Sequence, residues 1–140
     1  MSELAVRRYP QLNRTFRAVA ESLFSAPDRI APGDRLDWVA DEAEDMAAHA
    51  GARARLVMRT VALLLALIAP LFVRKLGHVA SLSLPARTVA LQRMESSLAA
   101  PLVLALKALL CTVWYEHPDA AAEVQWTGHS TGSIARVKPR

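Results

Sequence analysis

The sequence predicts an all-α fold: a single domain of about five helices in an irregular bundle, followed by a flexible C-terminal tail. Three observations carry this. Ala and Leu dominate the 140-residue chain, and both lose little side-chain freedom in a helix. Gly is scarce, at 5 residues, and few segments alternate with the period of two that a half-buried strand needs. Hydrophobic residues make up 53% of the chain, above the usual share, and they recur at helical spacings. A chain of this size buries roughly two-thirds of its unfolded surface, so a core can form without disulfides or metals. The apolar excess must go into that core, a membrane or a partner interface. The helical domain is assigned to residues 1–128 and the basic tail to 129–140.

Each element has a local reason. Leu12, Phe16, Val19, Ala20 and Leu23 share one face of a first helix, started by Pro10 or Asn13, with Arg14, Arg17 and Glu21 on the other face. Ser25-Ala26-Pro27-Asp28 breaks it, and the stretch to Gly33 reads as a loop. Asp34 is the expected N-cap of a second helix, whose apolar stripe is Leu36, Val39, Ala43, Met46, Ala47 and Ala50. Asp37, Asp41, Glu42, Glu44 and Asp45 crowd this helix as a solvated acidic face, one that a basic patch on a partner can meet. Gly51 separates it from a long third helix over about 52–76, with a kink or break expected at Pro70 and a stop at Gly77. Pro85 suits the first turn of a fourth helix, with Val89, Leu91, Met94 and Leu98 apolar and Arg87, Gln92, Arg93 and Glu95 wet. Pro101 starts a fifth helix, whose wide apolar face of Leu102, Ala105, Leu106, Leu109, Leu110, Val113 and Trp114 implies contact on more than one side. After Pro118, residues Asp119 to Val124 form a short helical piece. So apolar a fifth helix implies marginal solubility without a partner.

Charge and targeting narrow the function classes. A formal net charge of +4 is too modest to argue for nucleic acid, and no aromatic and basic residues interleave as a base-stacking surface needs. The Arg7-Arg8 pair is followed by Tyr9-Pro10-Gln11-Leu12-Asn13 rather than an uninterrupted apolar run, so no signal peptide is expected and the chain reads as cytoplasmic. The most apolar run, Val61 to Val73, is thirteen residues long where about twenty are needed to cross a bilayer. A central soluble helix is the expectation, with a membrane-surface segment as the alternative.

Little in the sequence points to chemistry. Cys111, the single cysteine, lies among apolar residues and reads as a small buried hydrophobe. The four His, at 49, 78, 117 and 129, have no ligand at metal-binding spacing, and there is no phosphate loop or dinucleotide fingerprint. His78 is expected to interact with the last carbonyls of the third helix. His117 lies beside Glu116 and Asp119, and a stand-alone small-ligand carrier or enzyme would use a pocket between helices near it. Trp114, Tyr115 and Trp126 suit either a core boundary or a binding surface.

The order of several segments resembles a known family. Arg87-Thr88-Val89-Ala90-Leu91-Gln92-Arg93-Met94-Glu95-Ser96-Ser97 precedes an apolar helix running through Pro101-Leu102 and Leu106-Lys107-Ala108-Leu109-Leu110. That helix ends in Trp114-Tyr115-Glu116-His117-Pro118, and Trp126-Thr127-Gly128 follows. Together with Phe16-Arg17-Ala18-Val19-Ala20-Glu21-Ser22-Leu23-Phe24 in the first helix, this resembles the gluconate 2-dehydrogenase subunit 3 family and the related N-terminal helical region of long-chain fatty alcohol oxidases. The resemblance implies a non-catalytic accessory subunit of a larger flavin-dependent oxidoreductase of the glucose–methanol–choline type. On that reading this chain holds no cofactor or metal, the partner carries the FAD, and peripheral membrane contact through the complex stays open. It implies partner-facing residues at Trp114, Tyr115, Pro118, Trp126 and Gly128. The chain departs from the family in two places: many members carry an apolar signal after the twin arginine, and Gln125 stands where the family tends to have Gly.

Overall fold

The computed structural model describes residues 9–123. Among these residues the chain forms six α-helices and two short 3₁₀ helices, an all-α irregular bundle in one domain. The proposed tail from residue 129, and Trp126 and Gly128, lie outside the described residues.

Helix α1 (Pro10–Phe24) opens with proline in its first turn, where a missing N–H costs nothing. Its expected stripe is the one buried: Leu12, Phe16, Val19 and Ala20, with Leu23 half-buried. The Ser25 N–H caps it on Glu21 O, and Ala26 and Arg29 pair across a turn through Pro27. Helix α2 (Gly33–His49) starts one residue earlier than Asp34 and follows Pro32, so Asp34 does not cap it. It lies in the first turn, where its carboxylate still meets the positive end of the helix dipole.

Gly51, at φ +85°, supplies the left-handed turn that separates α2 from α3 (Gly51–Ile68). The α-helix ends before Pro70, and the chain tightens into a 3₁₀ helix over Ala69–Val73, which accommodates the lost donor. The stop is at Arg74, which adopts the left-handed conformation at φ 56° and donates its N–H to Leu71 O and Pro70 O. The expected extension to residue 76 and the stop at Gly77 are therefore corrected. Gly77, at φ +132°, comes after the helix has already ended.

A second 3₁₀ helix, Val79–Ser81, leads to α4 (Leu84–Glu95), capped by the Ser83 hydroxyl, which accepts from the Ala86 N–H. The chain then turns through 118° into α5 (Ala100–Glu116), and a short α6 (Pro118–Glu123) closes the described chain. Helices α1 and α5 are central: α1 packs on α2, α3, α4 and α5, and α5 on all the others. Phe16, Leu36, Leu65, Met94, Leu106 and Leu110 fill the space between them.

Candidate functional site

Packing reverses one polar expectation, at Arg87, and amends a second at Glu44. Arg87, expected on the wet side of α4, is 6% exposed. Its guanidinium donates to the carbonyls of Ala18 (2.9 Å), Leu82 (2.9 Å) and Val79 (3.3 Å) and pairs with Glu21 at 2.8 Å. The fork of donors is what lets one side chain tie α1, the second 3₁₀ helix and α4 together. The acidic face of α2 is turned inward at one position only: Asp37 and Asp41 are exposed, Glu42 and Asp45 are half-buried, and Glu44 alone is buried. Glu44 is buried and accepts from the Tyr9 N–H and from Asn13 Nδ2, which also donates to Asp41 at 2.8 Å, while Arg17 pairs with Asp37. Glu44, Asp41 and Asp37 therefore strap α2 to α1, and the last two keep a side open to solvent.

The aromatic segment divides. Trp114 is 7% exposed. Its ring stacks on Phe24 with centroids 4.0 Å apart and planes 7° apart, and the Arg35 guanidinium lies 3.8 Å from the ring centre. Two groups that close to one indole must occupy opposite faces, so Trp114 is a core residue at the centre of α1, α2 and α5. Tyr115, the next residue, is 60% exposed and Pro118 is exposed as well. Of the five residues implied to face a partner, these two lie at the surface, Trp114 does not, and Trp126 and Gly128 fall outside the described residues.

His78 does not interact with the end of α3. It caps the second 3₁₀ helix, its Nδ1 accepting the Ala80 N–H at 3.1 Å. An accepting Nδ1 assigns the ring proton to Nε2, which lies 3.3 Å from the Thr15 hydroxyl, itself donating to Gln11 O. Burial lowers the His78 pKa from its ordinary value near 6.5, and the nearby Arg14 charge lowers it further. In this tautomer the imidazole cannot take the Thr15 proton, so the pair is not set for nucleophilic chemistry. Both line an apolar cavity of about 180 Å³ with Leu12, Ala62, Ala66 and Arg59, whose guanidinium covers the Tyr9 ring at 3.6 Å. The volume is below that of typical small-ligand sites. This cavity lies at His78, not at His117. His117 instead closes the junction of α5 and α6, its Nδ1 accepting the Asp119 N–H and its ring meeting Trp38 edge-on. Among the described residues no group of three or more His, Cys, Asp or Glu is arranged to hold a metal, and Cys111 is half-buried on α5.

The largest unexplained feature is apolar. Helix α3 buries Ala62, Leu65 and Ala66 but leaves Leu56, Val57, Leu63, Leu64 and Leu67 exposed, as is Leu71 in the 3₁₀ helix that follows, all at 40–66%. These positions fall along one stripe at helical spacing, interrupted only by Thr60. The stretch Gly51–Val73 is long and apolar enough to cross a bilayer, and only 28% of its most apolar window is buried. Helix α5 also has an open side, made of Pro101, Leu104, Ala105, Ala108, Thr112 and Tyr115, with no charged residue before Glu116. Lys107, its one internal cation, pairs with Glu95. The signal for α3 was present in the sequence: Leu63, Leu64 and Leu65 are consecutive, and a helix cannot turn three successive residues to one side.

No protein-family model, curated protein or solved structure matches the chain.

Proposed function

We propose that this chain is a non-catalytic accessory subunit that docks on a larger polypeptide through the open side of α5 and its aromatic end. The observation that carries the reading is that side itself. It is a 17-residue helix at the centre of the bundle with Leu104 57% and Tyr115 60% exposed and a flat run of Ala105, Ala108 and Thr112 between them. Small residues let a partner backbone approach, and Tyr115 supplies the amphipathic anchor typical of interface centres. The order of segments from Arg87 to Gly128 makes an FAD-dependent oxidoreductase of the glucose–methanol–choline type the partner of choice. That identity rests on the resemblance alone, whereas the docking surface rests on exposure.

The test is co-expression with the flavin oxidoreductase encoded nearest to this chain, followed by purification through a tag on the full chain. The expected result is a yellow complex, lost with Ala108→Glu while that variant keeps its helicity and melting temperature. A tagged, folded chain that retains no flavoprotein overturns the partner. An Ala108→Glu chain that retains it as well as the wild type overturns the surface.

A further inference from the structure

We propose that the outward stripe of α3 is a membrane-contact surface, on which the domain rests in the interface of an anionic bilayer with α3 parallel to its plane. This surface is separate from the open side of α5, and the inference does not depend on the partner reading.

Three observations lead to it. The first is the stripe, which runs from Leu56 in α3 to Leu71 in the 3₁₀ helix continuing it, over roughly 23 Å, with exposures from 40% at Leu64 to 66% at Leu56. The second is charge. Arg53 is exposed at its head, in line with the leucines, and Arg74 and Lys75 are exposed at its tail. From residue 46 to residue 94 the sequence holds no Asp or Glu. Of the flanking acids, Asp45 is half-buried at the end of α2 and Glu95 is taken by Lys107. An apolar face framed by cations is what the headgroup region of an anionic leaflet accepts, with hydrocarbon for the leucines and phosphates for the guanidinium and ammonium groups. The third is packing. The inner side of α3 rests on α1, α2 and α5, and α1 and α2 carry the Arg17–Asp37 pair and the Asn13–Asp41 bond. A transmembrane orientation would draw these ionised groups into hydrocarbon, which is costly. The helix therefore lies in the interface rather than across it.

Lipid suits the stripe better than other occupants. It has no aromatic, Met or Arg side chain among its leucines, and those are the residues that anchor specific protein interfaces. A second copy fits poorly too. Cations stand at both ends, so parallel or antiparallel pairing along the stripe sets like charges against each other.

The full 140-residue chain is tested by flotation with vesicles of mixed phosphatidylglycerol and phosphatidylcholine and with vesicles of phosphatidylcholine alone. Binding is expected to the mixed vesicles, weakening as salt is raised, and to be much poorer on phosphatidylcholine alone. Arg74→Gln with Lys75→Gln should lower partitioning about tenfold or more. Leu63→Glu with Leu67→Glu should abolish it, with helicity and melting temperature kept. The proposal is overturned by a wild-type chain that ignores both vesicle types at low salt, or by a glutamate double variant that floats as well as the wild type. It is also overturned if the chain forms a dimer that the glutamate variant disperses while vesicles recruit neither, since the stripe then joins two copies.

Discussion

Arg87 directs its guanidinium at the chain's own backbone, joining α1, the second 3₁₀ helix and α4 in one charged knot with Glu21. Ala18 O and Val79 O also accept from the Ser22 hydroxyl and the Leu82 N–H, so removing part of that fork chiefly strips Leu82 O of its donor and leaves a buried charge poorly paired. Arg87→Lys keeps the charge but can satisfy fewer of these acceptors in fixed geometry, so a loss of about 2–4 kcal/mol is expected in urea unfolding. Glu21→Gln, whose side chain is 25% exposed, should cost about 1 kcal/mol or less. Equal midpoints for Arg87→Lys and wild type would show that the network does not hold the helices. His78 makes stability depend on pH with a definite sign. Its folded pKa lies below the ordinary value near 6.5, so as pH falls below that value the unfolded chain takes up the proton first. Stability is thus lost as acid is added between 6.5 and the lower folded value. Protonation also removes the Nδ1 acceptor used by the Ala80 N–H. The slope of stability against pH in this window should flatten in His78→Gln.

Proline positions made the helix boundaries legible. Pro10, Pro85 and Pro101 each stand in a first turn, and Pro70 converts the end of α3 to 3₁₀ geometry, because the missing donor and the ring are local facts that no tertiary contact can cancel. The stop of that segment was not legible in the same way. Arg74 takes a left-handed conformation that favours Gly, and it does so three residues before Gly77. A non-Gly residue there costs about 1 kcal/mol or more, so Arg74→Gly should raise the melting temperature by about 4 °C. A melting temperature that falls instead would mean that the arginine side chain stabilises this turn. The acidic side of α2 illustrates the other limit. Its carboxylates were visible, but a sequence does not say that α1 brings Asn13, Arg17 and the Tyr9 N–H to meet them. Arg87 escapes a reading by periodicity for the same reason, since an arginine at a helical surface position and one on carbonyls from two other segments recur alike along the chain.

At the scale of the molecule, charge and apolarity are sorted: carboxylates gather between α1 and α2, and cations frame the greasy side of α3. The all-helical class and the apolar surplus could be read from composition, whereas the side on which the surplus emerges depends on how the bundle closes. Of the aromatic segment, the sequence left open whether each ring faces inward or outward, and adjacent Trp114 and Tyr115 do opposite things because successive helical positions point about 100° apart. Solubility should follow the exposed leucines. Leu63→Glu with Leu67→Glu is expected to suppress concentration-dependent aggregation of the isolated chain while changing stability by about 0.5 kcal/mol or less per site, as read by light scattering and melting. Aggregation unchanged in that variant would locate the sticky surface elsewhere. The Phe24–Trp114 stack, held flat with an arginine against the indole's other side, has an optical consequence. Two aromatic chromophores locked in one handed arrangement give circular dichroism in the near ultraviolet, and that band disappears when tertiary order goes even if helical content survives. A single spectrum can therefore tell whether the domain keeps its interior intact upon adsorption or loosens into a film of disconnected helices.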